Sequence, residues 1–92
     1  MISSFRHRGL KRLYEHGDRS RLKSDSINRI EDILARLDVA LTPYDLNLPG
    51  YALHMLKGDL KGFWSVRVSG NWRIIFRFQD GDVFDVNFVD YH

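Results

Sequence analysis

The chain contains no cysteine, and this absence excludes a disulfide scaffold and a cysteine-ligated metal site. It also has no apolar run approaching the roughly 20 residues that a membrane-spanning helix needs. The opening Met-Ile-Ser-Ser-Phe leads directly into Arg6-His7-Arg8, so no secretory signal is expected. The sequence therefore predicts a cytoplasmic protein without a membrane partner.

Several common catalytic motifs are missing as well. There is no glycine-rich phosphate loop, no pair of histidines at helical metal spacing and no Gly-x-Ser-x-Gly elbow. No carboxylates or histidines have the spacing of metal ligands, so neither a metal nor another cofactor is predicted. The His, Asp, Tyr, Lys and Arg side chains that remain suit general acid–base work and stabilisation of an anionic transition state. Metal-free cleavage of RNA through the ribose 2′-OH needs only that set.

Composition predicts one folded domain spanning residues 1–92. Apolar residues make up 43% and aromatic residues 13% of the chain, which excludes a disordered protein. A chain of 92 residues is long enough for a single hydrophobic core.

Positive charge is concentrated near the start of the chain. Residues 1–23 carry a net charge of +5, whereas residues 24–92 carry −3. This asymmetry suggests a polyanionic partner, although a solvated basic helix would produce the same pattern. The basic residues of this segment are Arg6, Arg8, Lys11, Arg12, Arg19, Arg21 and Lys23.

Two amphipathic helices are predicted in the first half. Residues 9–16 place apolar side chains at helical spacing, and Gly17 is the expected stop. A second helix is predicted to follow a cap at Ser24 or Asp25. Its apolar face would comprise Ile27, Ile30, Ile33, Leu34, Leu37 and Leu41. Met1 to Phe5 is expected to be extended, with an edge strand as one interpretation.

The last third consists of aromatic and β-branched runs separated by glycine turns, which is typical of an antiparallel meander. The runs span residues 53–57, 63–68, 71–78 and 83–89. The predicted fold class is α+β, with two N-terminal helices packed on a small antiparallel sheet.

Turn length predicts which side chains share a face. A three-residue loop, Ser69-Gly70-Asn71, would place Arg73 beside Arg67 on the face away from the helices. The core face would carry Trp64, Trp72, Ile74 and Phe76. Asp80-Gly81 predicts a type I′ turn between the last two strands.

Four blocks in this region carry a family resemblance: Leu53-His54-Met55-Leu56-Lys57-Gly58-Asp59, Trp64-Ser65, Asn71-Trp72-Arg73-Ile74 and Asp90-Tyr91-His92. Together with the opening Met-Ile-Ser-Ser-Phe and Gly9-Leu10, they resemble the HigB branch of the RelE/ParE toxin superfamily over essentially the whole chain. The resemblance implies a toxin of a type II toxin–antitoxin pair with a helix-turn-helix antitoxin. It further implies a ribonuclease that cuts mRNA in the decoding site of the 70S ribosome.

Residue by residue, the resemblance implies that His54, Asp90 and His92 are candidates for proton transfer. Tyr91 would orient or stack on the substrate, and Lys57 and Arg73 would bind the scissile phosphate. Which of the three acts as base stays open, with His92 or His54 preferred because histidine titrates near neutral pH. Contacts to RNA or the ribosome are expected from the seven N-terminal basic residues and from Arg67 and Asn71, although an acidic antitoxin segment could occupy the same basic surface.

Each assignment has a structural alternative. His54 could be a satisfied strand residue, Lys57 a turn lysine, and Arg73 the partner of Asp85 or Asp90. The Asp-Tyr-His end could be a frayed tail. Two rival functions are a ParE-like gyrase inhibitor, which the presence of His54 and of that end disfavours, and a non-catalytic RNA-binding module.

Overall fold

The computed structural model describes residues 1–91, which form two helices packed on one four-stranded antiparallel sheet. His92 lies outside the described residues. The helices are α1 (Arg8–His16) and α2 (Ile27–Val39), and the strands are β1 (His54–Met55), β2 (Trp64–Ser69), β3 (Trp72–Gln79) and β4 (Asp82–Asp90). Short 3-10 turns occupy Pro43–Leu46 and Gly58–Leu60. The predicted α+β class is confirmed, and no helix within residues 1–91 is long and apolar enough to cross a membrane.

Helix α1 has an unusual cap. His7 precedes the helix in an extended conformation, and its Nδ1 accepts a hydrogen bond of 3.1 Å from the Leu10 backbone N–H. At the other end Gly17 adopts a left-handed conformation at φ 68°, which favours glycine because it has no Cβ. The predicted stop at Gly17 is therefore confirmed.

Helix α2 starts later than the sequence predicts. Its N-cap is Ser26, which has helical backbone angles and makes no side-chain capping bond, so the expected cap at Ser24 or Asp25 is wrong. The helix also ends at Val39, and Ala40 is already extended. Leu41 consequently lies beyond the helix with 78% of its surface exposed, and its assignment to the apolar face is wrong.

The sheet order is β1-β2-β3-β4, and the predicted register of the central hairpin is confirmed. Val66 pairs with Ile74, and Arg67 pairs with Arg73. The predicted three-residue loop is wrong, because β2 continues through Ser69 and the turn is only Gly70-Asn71. A bulge between Arg67 and Ser69 takes up the extra residue and preserves the predicted register.

The β3–β4 turn is the predicted type I′ turn, because Asp80 and Gly81 both have positive φ, 53° and 83°. A second bulge lies on β4, where Asp85 and Val86 together lie opposite Phe76 of β3, and Asp85 has φ 57°. The N-terminal segment runs alongside β4 through two isolated parallel bridges, Ile2–Val83 and Phe5–Val86. This segment is extended, as predicted, but it is not a continuous strand.

The core lies between the two helices and one face of the sheet. Ile74 and Phe76 are fully buried there, against helix residues such as Leu10, Ile30 and Leu37. Burying one such side chain contributes about 1.5–3 kcal/mol. The prediction that both helices cover the face bearing Ile74 and Phe76 is confirmed.

The same face is not covered along its whole length. Trp72, at the start of β3, is 36% exposed and stacks on Phe88 with ring centroids 4.8 Å apart. Trp64 is half-buried and contacts Tyr44 edge-on at 5.3 Å. The prediction that Trp72 is a core residue is therefore wrong, because the helices do not extend over the end of the sheet where it lies.

Candidate active site

Arg73 lies on the face of the sheet that points away from the helices. Its neighbours on β3, Trp72 and Ile74, point to the helix side, as strand alternation requires. The Arg73 Nη1 donates a long hydrogen bond of 3.4 Å to the Oγ of Ser65, which is fully buried. The Arg73 Nε is buried and donates to no acceptor among residues 1–91. The site therefore presents a half-buried cation whose donors are incompletely used.

The carboxylate that could have neutralised Arg73 is engaged elsewhere. Asp85 bonds Arg77, with 2.8 Å from Nε and 2.7 Å from Nη2 to the same Oδ2. It also lies 3.7 Å from Arg6 Nε, and no hydrogen bond from Arg73 to it is present. Within the described part of the chain, Arg73 forms no salt bridge. The structural alternative in which Arg73 pairs with Asp85 is therefore wrong.

His54 shares the face of Arg73. His54 lies in β1 opposite Ser65, which in turn pairs with Ile75 on β3. The strand of His54 is therefore two strand spacings, about 10 Å in total, from the strand of Arg73. The imidazole is exposed, and its Nδ1 lies 3.2 Å from the Ala52 carbonyl oxygen. Because a carbonyl only accepts, Nδ1 carries the hydrogen of that bond and the neutral ring offers the lone pair of Nε2. An exposed nitrogen of this kind can accept a proton from a substrate.

The backbone that supports His54 is strained. Ala52 has φ 49°, a left-handed conformation that residues with a Cβ rarely adopt. Such positions concentrate at functional sites, where surrounding structure holds them in place. Here the strained residue supplies the carbonyl that orients the ring.

Lys57 lies two residues after the end of β1 and directly precedes the Gly58–Leu60 turn. It is exposed and makes no ion pair with any residue of the described range. Beside it, Leu56, Phe63 and Ile75 form a small buried cluster on the open side of the sheet. This cluster gives the open face an apolar part next to its cations.

Asp90 and Tyr91 lie at the end of β4, the edge strand opposite β1. Asp90 pairs with Trp72, which places it toward the helix side and not on the face of Arg73. The Tyr91 backbone N–H bonds the Asn71 carbonyl oxygen at 2.8 Å, so the ladder extends one residue further and alternation assigns Tyr91 to the face of Arg73. The strand pairing thus places His54 and Arg73 on one face, and alternation predicts that Tyr91 joins them. Among residues 1–91, no three His, Asp or Glu side chains are grouped as metal ligands.

The basic residues near the N-terminus fall into two groups. Arg6, Arg12 and Arg19 are paired with Asp85, Asp18 and Glu31 respectively. The second group has no ion pair with any described residue and comprises Arg8, Lys11, Arg21 and Lys23. Its members are all exposed. Only this second group offers charge that is not already used within the fold.

Two further features escaped sequence reasoning. Ser65 is the buried polar contact of Arg73, and only its place between valine and tryptophan in a strand hinted at burial. The structure also contains a cavity beside Trp72 whose walls come from five separate parts of the chain. Nothing in the sequence brings those segments together.

Comparison with known proteins identifies the family. Residues 3–92 match the family model described as the RelE-like toxin of the type II toxin–antitoxin system HigB. Endoribonuclease HigB of Proteus vulgaris is 47% identical over 92 residues, covering 100% of both chains. Toxin HigB-1 of Vibrio cholerae is 39% identical over 83 residues, which is 88% of this chain and 87% of that protein.

Solved structures support the same fold. The toxin–antitoxin complex YoeB-YefM from Staphylococcus aureus contains a chain that matches with a TM-score of 0.62 at 16% identity, covering 100% of this chain and 98% of that one. A YoeB/ParE toxin from Agrobacterium tumefaciens matches with a TM-score of 0.62 at 21% identity, covering 100% and 99%. The chain belongs to the HigB-like family of RelE-like toxins and is the toxin of a type II toxin–antitoxin pair.

Proposed function

We propose that this toxin is an endoribonuclease that cuts mRNA in the ribosomal decoding site by attack of the ribose 2′-OH, without a metal ion. The observation that carries the proposal is Arg73, a half-buried cation without a carboxylate partner among residues 1–91, on the same open face as the accessible Nε2 of His54. The name of the Proteus vulgaris relative, 47% identical over its full length, supports the same activity.

The reaction divides proton transfer and charge stabilisation between different residues. A base removes the proton of the 2′-OH, and that oxygen forms a bond to the adjacent phosphorus. Arg73 and Lys57 stabilise the negative charge on the phosphorane. The bond from phosphorus to the 5′-oxygen then breaks, and an acid donates a proton to the leaving oxygen. The products are a 2′,3′-cyclic phosphate and a free 5′-OH.

His54, Asp90 and His92 are the candidates for the two proton transfers. Of the two described, only His54 lies on the face of Arg73, which favours it for a role at the 2′-OH. Asp90 would act from the edge of the sheet, on a proton or on the orientation of a histidine. Tyr91 would hold the nucleotide beside the scissile phosphate by stacking.

The unpaired basic residues are proposed to bind ribosomal RNA. Contacts of lysine and arginine with phosphates position a protein without reading bases, and they weaken as salt rises. Arg8, Lys11, Arg21 and Lys23 have charge available for this purpose, and Arg67 and Asn71 would contact the mRNA next to Arg73. A ribosomal target places the site of action in the cytoplasm. The antitoxin is proposed to be a helix-turn-helix protein whose acidic segment competes for the basic surface.

The proposal is tested by a translation-coupled cleavage assay with analysis of the product ends, run with and without EDTA. Cleavage should persist in chelator and leave a free 5′-OH. It should fail when the nucleotide before the cut carries a 2′-deoxy or 2′-methoxy sugar. A 5′-phosphate product, or activity that needs added magnesium on RNA without ribosomes, would overturn the mechanism.

Two variants test the proposed roles of Arg73 and His54 in cleavage. Arg73→Ala and His54→Ala should each lower the cleavage rate by about 10²-fold or more, the usual effect of removing charge stabilisation or a proton-transfer group. Arg36→Ala is the matched control, because Arg36 is an exposed arginine of α2 that pairs with Asp32. It should cleave at the normal rate. Full toxicity of either site variant would remove that residue from the mechanism, and inhibition of gyrase without RNA cleavage would favour the ParE-like alternative.

A further inference from the structure

A cavity of about 270 Å³ opens beside Trp72, on the helix side of the sheet. Its walls come from the residue that caps α1, the segment between the helices, the end of β2, and β3 and β4. It belongs neither to the core nor to the open face that carries Arg73. Its chemistry therefore calls for a separate explanation.

One wall of the cavity is aromatic. Trp72 stacks on Phe88 at an interplanar angle of 29°, and His7 meets Phe88 edge-on at 5.8 Å. Burial lowers the pKa of His7, and its Nδ1 is already occupied as acceptor from Leu10, so at neutral pH the ring is uncharged and its Nε2 carries a hydrogen. The wall consequently offers a flat apolar surface with one donor. Trp72 keeps 36% of its surface exposed, which leaves ring surface free for a ligand.

The rim of the cavity is cationic. Arg21 and Lys23 line it, both are exposed, and neither pairs with a carboxylate in the described part of the chain. Their neighbours Arg12 and Arg19, which lie outside the cavity, are paired with Asp18 and Glu31. The unpaired cations of this segment thus face the cavity. Asp25 also lines the cavity, and its carboxylate can accept a hydrogen bond from an amino group.

We propose that this cavity binds one nucleotide of single-stranded RNA, with its base stacked on Trp72 and its phosphate between Arg21 and Lys23. Aromatic stacking combined with cations along the backbone is the usual way in which proteins hold unpaired nucleotides. Asp25 would accept a hydrogen bond from an exocyclic amino group of the base, as carboxylates do from cytosine N4. The ligand class is a nucleotide that is part of a strand.

The position of the cavity relates it to the proposed cleavage site. Trp72 and Arg73 are consecutive residues with Cα atoms about 3.8 Å apart, and they point to opposite faces of the sheet. An RNA strand that passes over the Gly70-Asn71 turn can place its scissile phosphate at Arg73 and a nearby nucleotide in the cavity. This step rests on the proposed ribonuclease function, whereas binding of a nucleotide does not.

Binding is measured with a short single-stranded RNA in which every sugar is 2′-methoxy, so that it cannot be cut. The chain has two tryptophans, and a Trp64→Phe background leaves Trp72 as the fluorescent reporter. Saturable quenching of Trp72 by the oligonucleotide is expected. Trp72→Leu, followed by fluorescence anisotropy of a labelled oligonucleotide, should weaken binding about tenfold, within the usual range for a base stacked on an aromatic ring.

The charge contribution has a matched control. Arg21→Ala/Lys23→Ala removes two unpaired cations from the rim, and Arg36→Ala/Lys61→Ala removes two cations elsewhere on the surface, outside the cavity and outside the proposed RNA-binding residues. All four side chains are exposed, so both double variants are expected to fold, which urea unfolding verifies. The first should weaken binding about tenfold and the second less than threefold. Equal losses in the two double variants would overturn the proposal, because they would indicate general attraction to charge.

Three outcomes distinguish failure of this proposal from failure of the function on which it partly rests. His54→Ala should lose cleavage and keep its affinity for the oligonucleotide. If the Arg21/Lys23 variant binds RNA normally and instead releases the co-purified antitoxin, the cavity is a peptide site and the proposal is wrong. If the unaltered toxin never cuts RNA but the cavity variants still lose affinity, the nucleotide site stands and the ribonuclease function fails.

Discussion

Replacing Arg73 by methionine should make the protein more stable and abolish its proposed activity. Methionine has a similar length and no donors, so Arg73→Met removes the buried Nε that finds no acceptor within residues 1–91. A buried donor left unsatisfied costs about 1–3 kcal/mol. The substitution also removes a like-charge contact, because Arg73 pairs directly with Arg67 across the strands.

The expected gain is about 1 kcal/mol, at the low end of that range, because the rest of the Arg73 side chain is only half-buried and its Nη1 bond to Ser65 is lost. For a domain of this size, 1 kcal/mol corresponds to a rise in Tm of about 4–8 °C. Cleavage should fall by about 10²-fold or more, since the cation that would stabilise the phosphorane is gone. Urea unfolding and the translation-coupled assay are run on the same preparation.

Arg77→Met is the control on the same strand. Arg77 makes two contacts with Asp85, at 2.7 and 2.8 Å, so its loss should destabilise the fold by roughly 1–2 kcal/mol after allowance for its partial exposure. Opposite signs for the two arginines would identify Arg73 as a residue kept at the expense of stability. If Arg73→Met unfolded at lower urea than the unaltered protein, Arg73 would be a structural residue and the argument would fail.

Three further expectations concern the helices. Gly9→Ala should destabilise the fold by roughly 1 kcal/mol despite the better helix propensity of alanine, because the new Cβ would lie 2.9 Å from Cε1 of His7. A Tm equal to or above that of the unaltered protein would contradict this expectation. Burial lowers the pKa of His7, so the unfolded chain binds more protons below about pH 6.5. Stability should therefore decrease as the pH falls from 7 to 5, and His7→Asn, which can accept the same bond from Leu10, should show a weaker decrease in urea titrations. Tyr14→Phe should lower the free energy of unfolding by about 1 kcal/mol at pH 7, because the Tyr14 hydroxyl donates a hydrogen bond to Asp38 and lowers the pKa of that carboxyl. The loss should become smaller in acid, where Asp38 is protonated. An equal loss at about pH 3 would contradict the assignment.

Much of the sheet could be predicted because its register depends on local chemistry. The Asp80-Gly81 turn requires two residues with positive φ, and the spacing around Gly70 determines that Arg73 and Ile74 face opposite sides. Alternation assigns a side chain to a face, but it does not tell how far the helices extend over that face. For this reason the face of Trp72 was predicted correctly and its burial was not.

The candidate site was predictable only in part for a related reason. β1 is two residues long, and its pairing with β2 depends on how the preceding connector folds, including the strained Ala52. The place of His54 beside Ser65 therefore follows from tertiary structure. The partner of Asp85 could not be chosen from sequence either, because an irregularity in the β3–β4 pairing shifts the register there, and only the folded structure brings the Arg77 side chain to Asp85.

The bridges between the N-terminal segment and β4 have a consequence for the time course of folding. The Asp85 backbone N–H donates to Ser4 Oγ at 2.9 Å across 81 positions of the chain, so the pairing of β4 depends on residues that are far away in the sequence. Contacts between such distant positions form slowly, because a long loop must close before they stabilise anything. The helices and the β2–β3 hairpin depend on nearer partners and can form earlier. We therefore expect the face of Arg73, which β4 completes, to be assembled late, so that a newly made toxin passes through an interval in which it is partly folded and not yet active.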